Sequence, residues 1–278
     1  MAVSVSIAID DLPGAAASAS LRLRDELLAI LGADLVSMWL HGGTTFADRP
    51  ARPGDLDICA VIANLAPDER TPRVWRADPG SRPSRIYAAQ ESIARENGVD
   101  FDNMYLLADE VGRGRLPSSA FERNRWETGW AIDRAHWLAG QYVLLHGRPP
   151  EELVAAPTTA ELHRALDREL EHLERHVYEG DADDPFEATY AILNGCRILH
   201  TLEAGSPVIS KRSAGAWGLE NLAQRWHRAI QAAIRSYDGS GSAEDIETLR
   251  GTMAPFVDMV RQRLPRTNLR QTGPPRWS

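Results

Sequence analysis

The sequence has few cysteines, no long apolar run and little basic charge, and each scarcity excludes a class of protein. Two cysteines among 278 residues cannot form the disulfide framework of a small secreted domain. Cys59 and Cys196 both lie in apolar runs, which predicts two buried, inert thiols. No run approaches the roughly 20 apolar residues of a membrane-spanning helix, and the amino terminus lacks the pattern of a secretory signal. We therefore expect a cytoplasmic protein that does not enter the membrane.

Basic residues are outnumbered by acidic ones. Lys and Arg number 31 against 39 Asp and Glu, which gives a net charge of −8. This balance argues against nonspecific binding of DNA or RNA, and it favours cationic or metal-bridged ligands. Lys211 is the single lysine of the chain, which indicates that the identity of the residue matters at this position.

Three strands are predicted in the first half of the chain. Alternating side chains predict a strand that ends just before Gly42, and an apolar run predicts a second strand that begins at Asp55. A Gly-Gly-Thr-Thr turn and a short polar loop connect the two. The segment Val99–Leu107 predicts the third strand.

Helical spacing of apolar residues dominates the second half, beginning with a predicted helix over Ala131–Leu145. The expected fold class is α+β. We expect a small mixed sheet with flanking helices in residues 1–125, an all-α helical bundle in 126–264 and a disordered tail in 265–278.

Two predicted strands carry pairs of aspartates at a spacing of two residues. Because residues two apart on a strand project from the same face, Asp55 and Asp57 present two carboxylates together, as do Asp100 and Asp102. Neighbouring carboxylates repel each other, and a bound cation relieves the repulsion. The alternative is a pair of acids that only caps the beginning of a strand.

The glycines at the end of the first strand predict a different kind of contact. Gly42 and Gly43 have no side chain to keep a phosphate away from the backbone N–H groups. They also allow an ordinary tight turn. This stretch therefore suits phosphate, whereas the aspartates suit a hard divalent metal.

These motifs resemble those of a known superfamily. Gly42-Gly43-Thr44 followed by Asp55-x-Asp57 resembles the signature of the nucleotidyltransferases typified by DNA polymerase β. Three later segments resemble the helical domain of the aminoglycoside adenylyltransferases that modify streptomycin and spectinomycin: YVLLHGRPPEEL at 142–153, YAILNGCRILHTL at 190–202 and SKRSAGAWGL at 210–219. The resemblance extends in order over roughly residues 20–260.

The resemblance implies transfer of AMP from ATP to a hydroxyl with release of pyrophosphate. It implies that Asp55 and Asp57 bind two Mg²⁺ ions. A third carboxylate, from Asp102 or Asp100, acts as general base or completes the metal site. Counting back from Asp109 favours Asp102, whereas the apolar flanks of Asp100 favour that residue. The family has Glu at this position, so either Asp is a departure.

The resemblance also assigns nucleotide-binding residues. The turn Gly42-Gly43-Thr44 would contact the phosphates of ATP. Lys211, at the beginning of a helix, and Arg197, on the preceding helix, match basic residues of the family that face the triphosphate.

The acceptor is expected to be a cationic small molecule of the aminoglycoside type. The acidic loop Glu179–Glu187 falls where the resemblance implies carboxylates that hold ammonium or guanidinium groups of the drug. Glu187 matches best, with Asp183 and Asp184 next, and Tyr178 lies near the stacking aromatic of the family, a Trp. We expect a monomer. The alternatives are a nucleotidyltransferase with a protein, metabolite or RNA acceptor, and a non-catalytic nucleotide-binding relative.

Overall fold

The computed structural model describes residues 7–49, 55–70, 77–112, 129–179 and 185–264. The chain divides into two compact units, Met1–Pro157 and Thr158–Ser278. This division lies later than the one predicted after residue 125, because a helix and a strand that follow residue 125 pack with the sheet. The predicted tail, 265–278, lies outside the described residues.

A mixed sheet forms the centre of the first unit. Its strands are β1 (Leu35–His41), β2 (Asp55–Ile62), β3 (Asp100–Leu107) and β4 (Val143–Gly147). They lie in the order β3-β2-β1-β4. β1 is antiparallel to β2 and β4, whereas β2 is parallel to β3. The predicted mixed sheet is confirmed, and β1 to β3 lie where the sequence predicts them.

The fourth strand corrects the helix predicted over Ala131–Leu145. The helix of this region ends at Leu138, and the chain turns at Gly140, whose φ is 84°. The following residues then pair with β1, and Val143 and Leu145 are buried while Leu144 is 36% exposed. A short apolar run is compatible with a helix or a strand, and here the unpaired edge of β1 decides in favour of the strand.

Helices cover both faces of the sheet. On one face, α1 (Gly14–Leu31) and α2 (Arg82–Asn97) share an apolar core with alternate residues of the strands, among them Leu40 and Ile58. On the other face, α3 (Ala108–Val111) and α4 (Trp130–Leu138) bury Cys59. Cys59 and Cys196 are both free and buried, as predicted.

The described residues of the second unit form helices and their connections, with no strand among them. Its helices are α5 (Thr159–Glu179), α6 (Pro185–Ala204), α7 (Lys211–Asn221), α8 (His227–Tyr237) and α9 (Ala243–Arg263). α6 contacts each of the other four. A largely buried ion pair connects α5 to α9, since Arg261 lies 2.6 Å from Asp167 and 2.7 Å from Glu174. The predicted helical bundle is confirmed. None of the helices described in either unit is long and apolar enough to cross a membrane.

Candidate active site

The four predicted aspartates lie at one end of two adjacent strands. In the parallel pairing of β2 with β3, Asp55 is the partner of Asp100 and Asp57 is the partner of Asp102. Adjacent strands are about 4.8 Å apart, and paired residues project from the same face. The residues that follow at the same spacing, such as Cys59, are buried, whereas Asp57 is only half-buried. The sheet therefore presents four carboxylates on one face where it opens to solvent.

The turn after β1 lies directly against one of these aspartates. Gly42 has a φ of 73°, which is strained for any residue with a side chain. A Cβ built on Gly42 would lie 1.8 Å from Oδ2 of Asp57. The turn is closed by Thr45, whose Oγ1 donates a hydrogen bond of 2.8 Å to the carbonyl oxygen of Gly42. A glycine is thus required twice over, by the backbone conformation and by the approach of the carboxylate.

The other predicted residues of this turn differ in exposure. Gly43 is exposed, so its backbone is open to a ligand, whereas Thr44 is buried. Thr45 is a further residue of the turn that was not predicted as part of the site. Its only signal is a hydroxyl three residues after a glycine, which suits a side-chain bond back to the turn.

His41 lies beside the aspartates without adding charge to them. It is the β1 partner of Asp57, and its ring packs edge-on against Trp137 at a centroid distance of 5.2 Å. Burial lowers the pKa of His41 to about 3, and the nearby His136 acts in the same direction. His41 is therefore neutral at physiological pH, as expected for a packed strand residue, and it does not neutralise Asp57.

The aspartate face has the donor chemistry that Mg²⁺ prefers. Mg²⁺ takes oxygen ligands, keeps several waters, and is commonly held by one or two carboxylates together with phosphates of the substrate. Among the described residues no three side chains already converge as a metal-binding group. The carboxylates at 55, 57, 100 and 102 are oxygen donors of the kind that Mg²⁺ takes.

In the helical unit, Lys211 lies near Tyr190 on α6, the helix that also carries Arg197. Lys211 is the first residue of α7, and its Nζ lies 4.8 Å from the ring centroid of Tyr190 on α6. Arg197, also on α6, donates a hydrogen bond of 3.2 Å to Oδ1 of Asn194. Burial raises the pKa of Tyr190 and Glu169 raises it further, while Arg197 acts in the opposite direction. Tyr190 was not selected from the sequence, where it is one of several aromatic residues on a helix.

The predicted acceptor residues make separate contacts. Oε2 of Glu187, in the first turn of α6, lies 2.9 Å from Nδ1 of His176 on α5. Tyr178 donates a hydrogen bond of 2.6 Å to Asp258, which raises the pKa of Tyr178 to about 12. The structure therefore does not show Tyr178 and Glu187 joined in one cluster. Asp183 and Asp184 lie outside the described residues.

Comparison with known proteins supports the predicted relationship. Residues 152–263 match the family described as aminoglycoside adenylyltransferase, C-terminal domain. The fold is similar to that of spectinomycin adenyltransferase AAD(9) from Enterococcus faecialis, whose crystal structure contains ATP and spectinomycin; the TM-score is 0.65 at 15% identity, over 90% of this chain and 99% of that one. No curated protein sequence matches. The predicted fold and the likeness to aminoglycoside adenylyltransferases are confirmed.

Proposed function

We propose that this chain, which is similar to the aminoglycoside adenylyltransferases, transfers AMP from ATP to a hydroxyl of an aminoglycoside or aminocyclitol in a Mg²⁺-dependent reaction. The observation that carries the proposal is the register of β2 and β3, which pairs Asp57 with Asp102 beside the turn at Gly42. It combines an acidic metal-binding face with a turn suited to phosphate. The acceptor in the proposal is taken from the similar proteins, which are described as aminoglycoside adenylyltransferases.

The aspartates would divide the chemistry among them. Asp55 and Asp57 would hold the metal, as the resemblance implies. When bound, two Mg²⁺ ions supply charge neutralisation and orient the attacking and leaving oxygens of an in-line displacement. Asp102 would accept the proton of the acceptor hydroxyl while that oxygen bonds to the α-phosphorus and pyrophosphate leaves. The pairing of Asp102 with Asp57, next to the turn, supports Asp102 over Asp100 for this role.

The nucleotide would be held through its phosphates. The backbone of Gly42 and Gly43 would donate to phosphate oxygens, with Thr44 shaping the turn. In the helical unit, Lys211 and Arg197 would neutralise the triphosphate. The contact of Lys211 with Tyr190, on the helix that also carries Arg197, supports a shared anionic ligand. ATP as the co-substrate is supported by the ATP in the crystal structure of the similar protein.

The acceptor would be recognised through charge. Glu187 would bind an ammonium group of the drug by a charge-assisted hydrogen bond. Because Glu187 already contacts the imidazole of His176, the ammonium would either displace the imidazole from the carboxylate or bind the carboxylate alongside it. The spectinomycin in the crystal structure of the similar protein supports an aminocyclitol acceptor.

The test is a screen for pyrophosphate release. The protein is incubated with ATP and Mg²⁺ and with streptomycin, spectinomycin or other aminocyclitols, and mass spectrometry then checks for a gained AMP. We expect release that depends on one drug class and on Mg²⁺. Thermal stabilisation by ATP and Mg²⁺ without turnover on any drug would reject the drug acceptor and leave either a different hydroxyl or a non-catalytic nucleotide-binding relative. No stabilisation at all would reject the nucleotide site itself.

Lys211→Ala should raise the KM for ATP by about 10- to 100-fold, the effect of losing a hydrogen bond to a charged group. The KM for the acceptor should change much less. Steady-state kinetics with each substrate varied in turn measures both values. The matched control is Arg212→Ala, since Arg212 is the next residue and its guanidinium lies 3.2 Å from Asp238. An equal effect of both substitutions would remove Lys211 from the nucleotide site.

A further inference from the structure

The ammonium of Lys211 lies near the rings of two tyrosines that come from different helices. Its Nζ is 4.8 Å from the centroid of Tyr190 on α6 and 5.8 Å from that of Tyr237 on α8. Both distances are within the range of about 6 Å over which an aromatic ring attracts a cation. The lysine itself begins α7, where the side chain of Ser210 caps the helix by accepting a hydrogen bond of 2.9 Å from the backbone of Ser213. Three helices therefore determine where this charge lies.

Tyr190 is itself held in place from a fourth helix. Its hydroxyl donates a hydrogen bond of 3.0 Å to Oε1 of Glu169 on α5. Burial and Glu169 together raise the pKa of Tyr190, so the phenol remains protonated and the hydrogen bond persists at physiological pH. The ring cannot turn without breaking this bond. Its orientation relative to Lys211 is thus set by the bundle.

A cation–π contact suits a lysine that must bind phosphate. The ring attracts the positive charge through its quadrupole and needs none of the directional acceptor geometry of a carboxylate. The same ammonium remains compatible with N–H donation to phosphate oxygens.

Holding the side chain in advance also lowers the cost of binding. A free lysine loses about 1.5–2 kcal/mol of rotamer freedom when it is fixed. If the folded protein has already fixed it, that cost does not fall on the ligand. A compact ammonium fits near two ring faces, whereas a planar guanidinium would need a stacked geometry. The geometry at position 211 therefore suits lysine, of which the chain has only this one.

We propose that Tyr190 is a positioning residue for nucleotide binding, which holds the ammonium of Lys211 at the triphosphate through its ring face. Tyr237 assists from α8. The inference rests on the proposed function in that the ligand is the triphosphate of ATP. It assigns a role to an aromatic side chain that the sequence motifs did not single out.

A purely structural role for Tyr190 makes different predictions. The ring also lies 6.1 Å from His172 and 6.1 Å from Phe186, so it packs within the bundle as well. If packing were its whole role, substitutions would change the melting temperature and would affect ATP and the acceptor alike. If Tyr190 positions Lys211, the KM for ATP should depend on the electron density of the ring, and the KM for the acceptor should not.

The experiment compares Tyr190→Phe with Tyr190→Leu. Tyr190→Phe keeps the ring and loses only the bond to Glu169, so its KM for ATP should stay within about 3-fold of wild type. Tyr190→Leu removes the ring, so its KM for ATP should rise by about 2- to 30-fold, the range expected for a cation–π contact, with the KM for the acceptor unchanged. In a Lys211→Ala background, Tyr190→Leu should add little to the loss.

A second series keeps the variant folded and changes only the ring. Phenylalanines with increasing numbers of ring fluorines are incorporated at position 190, because fluorination removes the quadrupole at nearly constant volume. Log KM for ATP should rise steadily with fluorine number. A flat series, or equal effects of Tyr190→Phe and Tyr190→Leu, would overturn the proposal. If the wild type releases no pyrophosphate with any acceptor, the proposed function fails, and calorimetric binding of ATP with Mg²⁺ to the same variants still decides the role of Tyr190.

Discussion

Asp57→Asn should reduce AMP transfer by at least about 10²- to 10³-fold, the order of effect produced when one preorganised electrostatic group is removed from an active site. Asp57 is the register partner of Asp102 on β3, and its carboxylate lies against the turn at Gly42. The substitution keeps the size of the side chain and removes its charge. Because it also relieves repulsion among four carboxylates, we expect the melting temperature to be equal or higher. Pyrophosphate release and thermal unfolding measure the two effects.

The same experiment can identify the third carboxylate. Asp102→Asn and Asp100→Asn remove identical charges from one face of one strand, so each is a matched control for the other. We expect Asp102→Asn to approach the loss of Asp57→Asn, and Asp100→Asn to retain most of the activity. The reverse order would assign the role to Asp100. Full turnover in Asp57→Asn would reject the nucleotidyltransferase site itself.

Gly42→Ala should also reduce AMP transfer by about 10²-fold or more, because the carboxylate of Asp57 would have to move away from its position. The new Cβ would lie 1.8 Å from Oδ2 of Asp57, well inside van der Waals contact. Alanine would in addition be strained at a φ of 73°, by about 1–2 kcal/mol. We therefore expect a modest loss of stability and a much larger loss of transfer.

Gly98→Ala separates these two effects. Gly98 ends α2 in the left-handed conformation with a φ of 62°, and a Cβ at this position would meet nothing within 4 Å. The variant should therefore lose a similar amount of stability and keep its activity. Denaturant unfolding and initial rates, measured on both variants, make the comparison. Comparable activity loss in Gly98→Ala would mean that backbone strain, and not the position of Asp57, explains the result.

Much of the acidic face could be predicted from local patterns. A spacing of two residues on a strand brings Asp55 and Asp57 to one face whatever the fold, and the same holds for Asp100 and Asp102. The likeness to the aminoglycoside adenylyltransferases was readable because its segments occur in order along the chain. The single lysine was visible by composition alone.

Residues that meet across the bundle were not predictable in the same way. Glu169, Tyr190, Lys211 and Tyr237 lie on four helices, and no local spacing relates them. The pair His176 and Glu187 is similar, since the two lie on different helices. Such contacts depend on how the helices pack, and many pairings are compatible with the same apolar periodicity.

By itself, the sequence determined which side chains share a face, where glycine is required and which class of enzyme the chain resembles, because these depend on short-range geometry and on the order of motifs. Only the tertiary structure decided that Val143–Gly147 is a strand, that Asp102 rather than Asp100 is the partner of Asp57, and that Tyr190 lies beneath Lys211. Strand register and helix packing join residues distant in the chain. These arrangements are stabilised by burying surfaces from different segments against each other, so the sequence of one segment does not determine them.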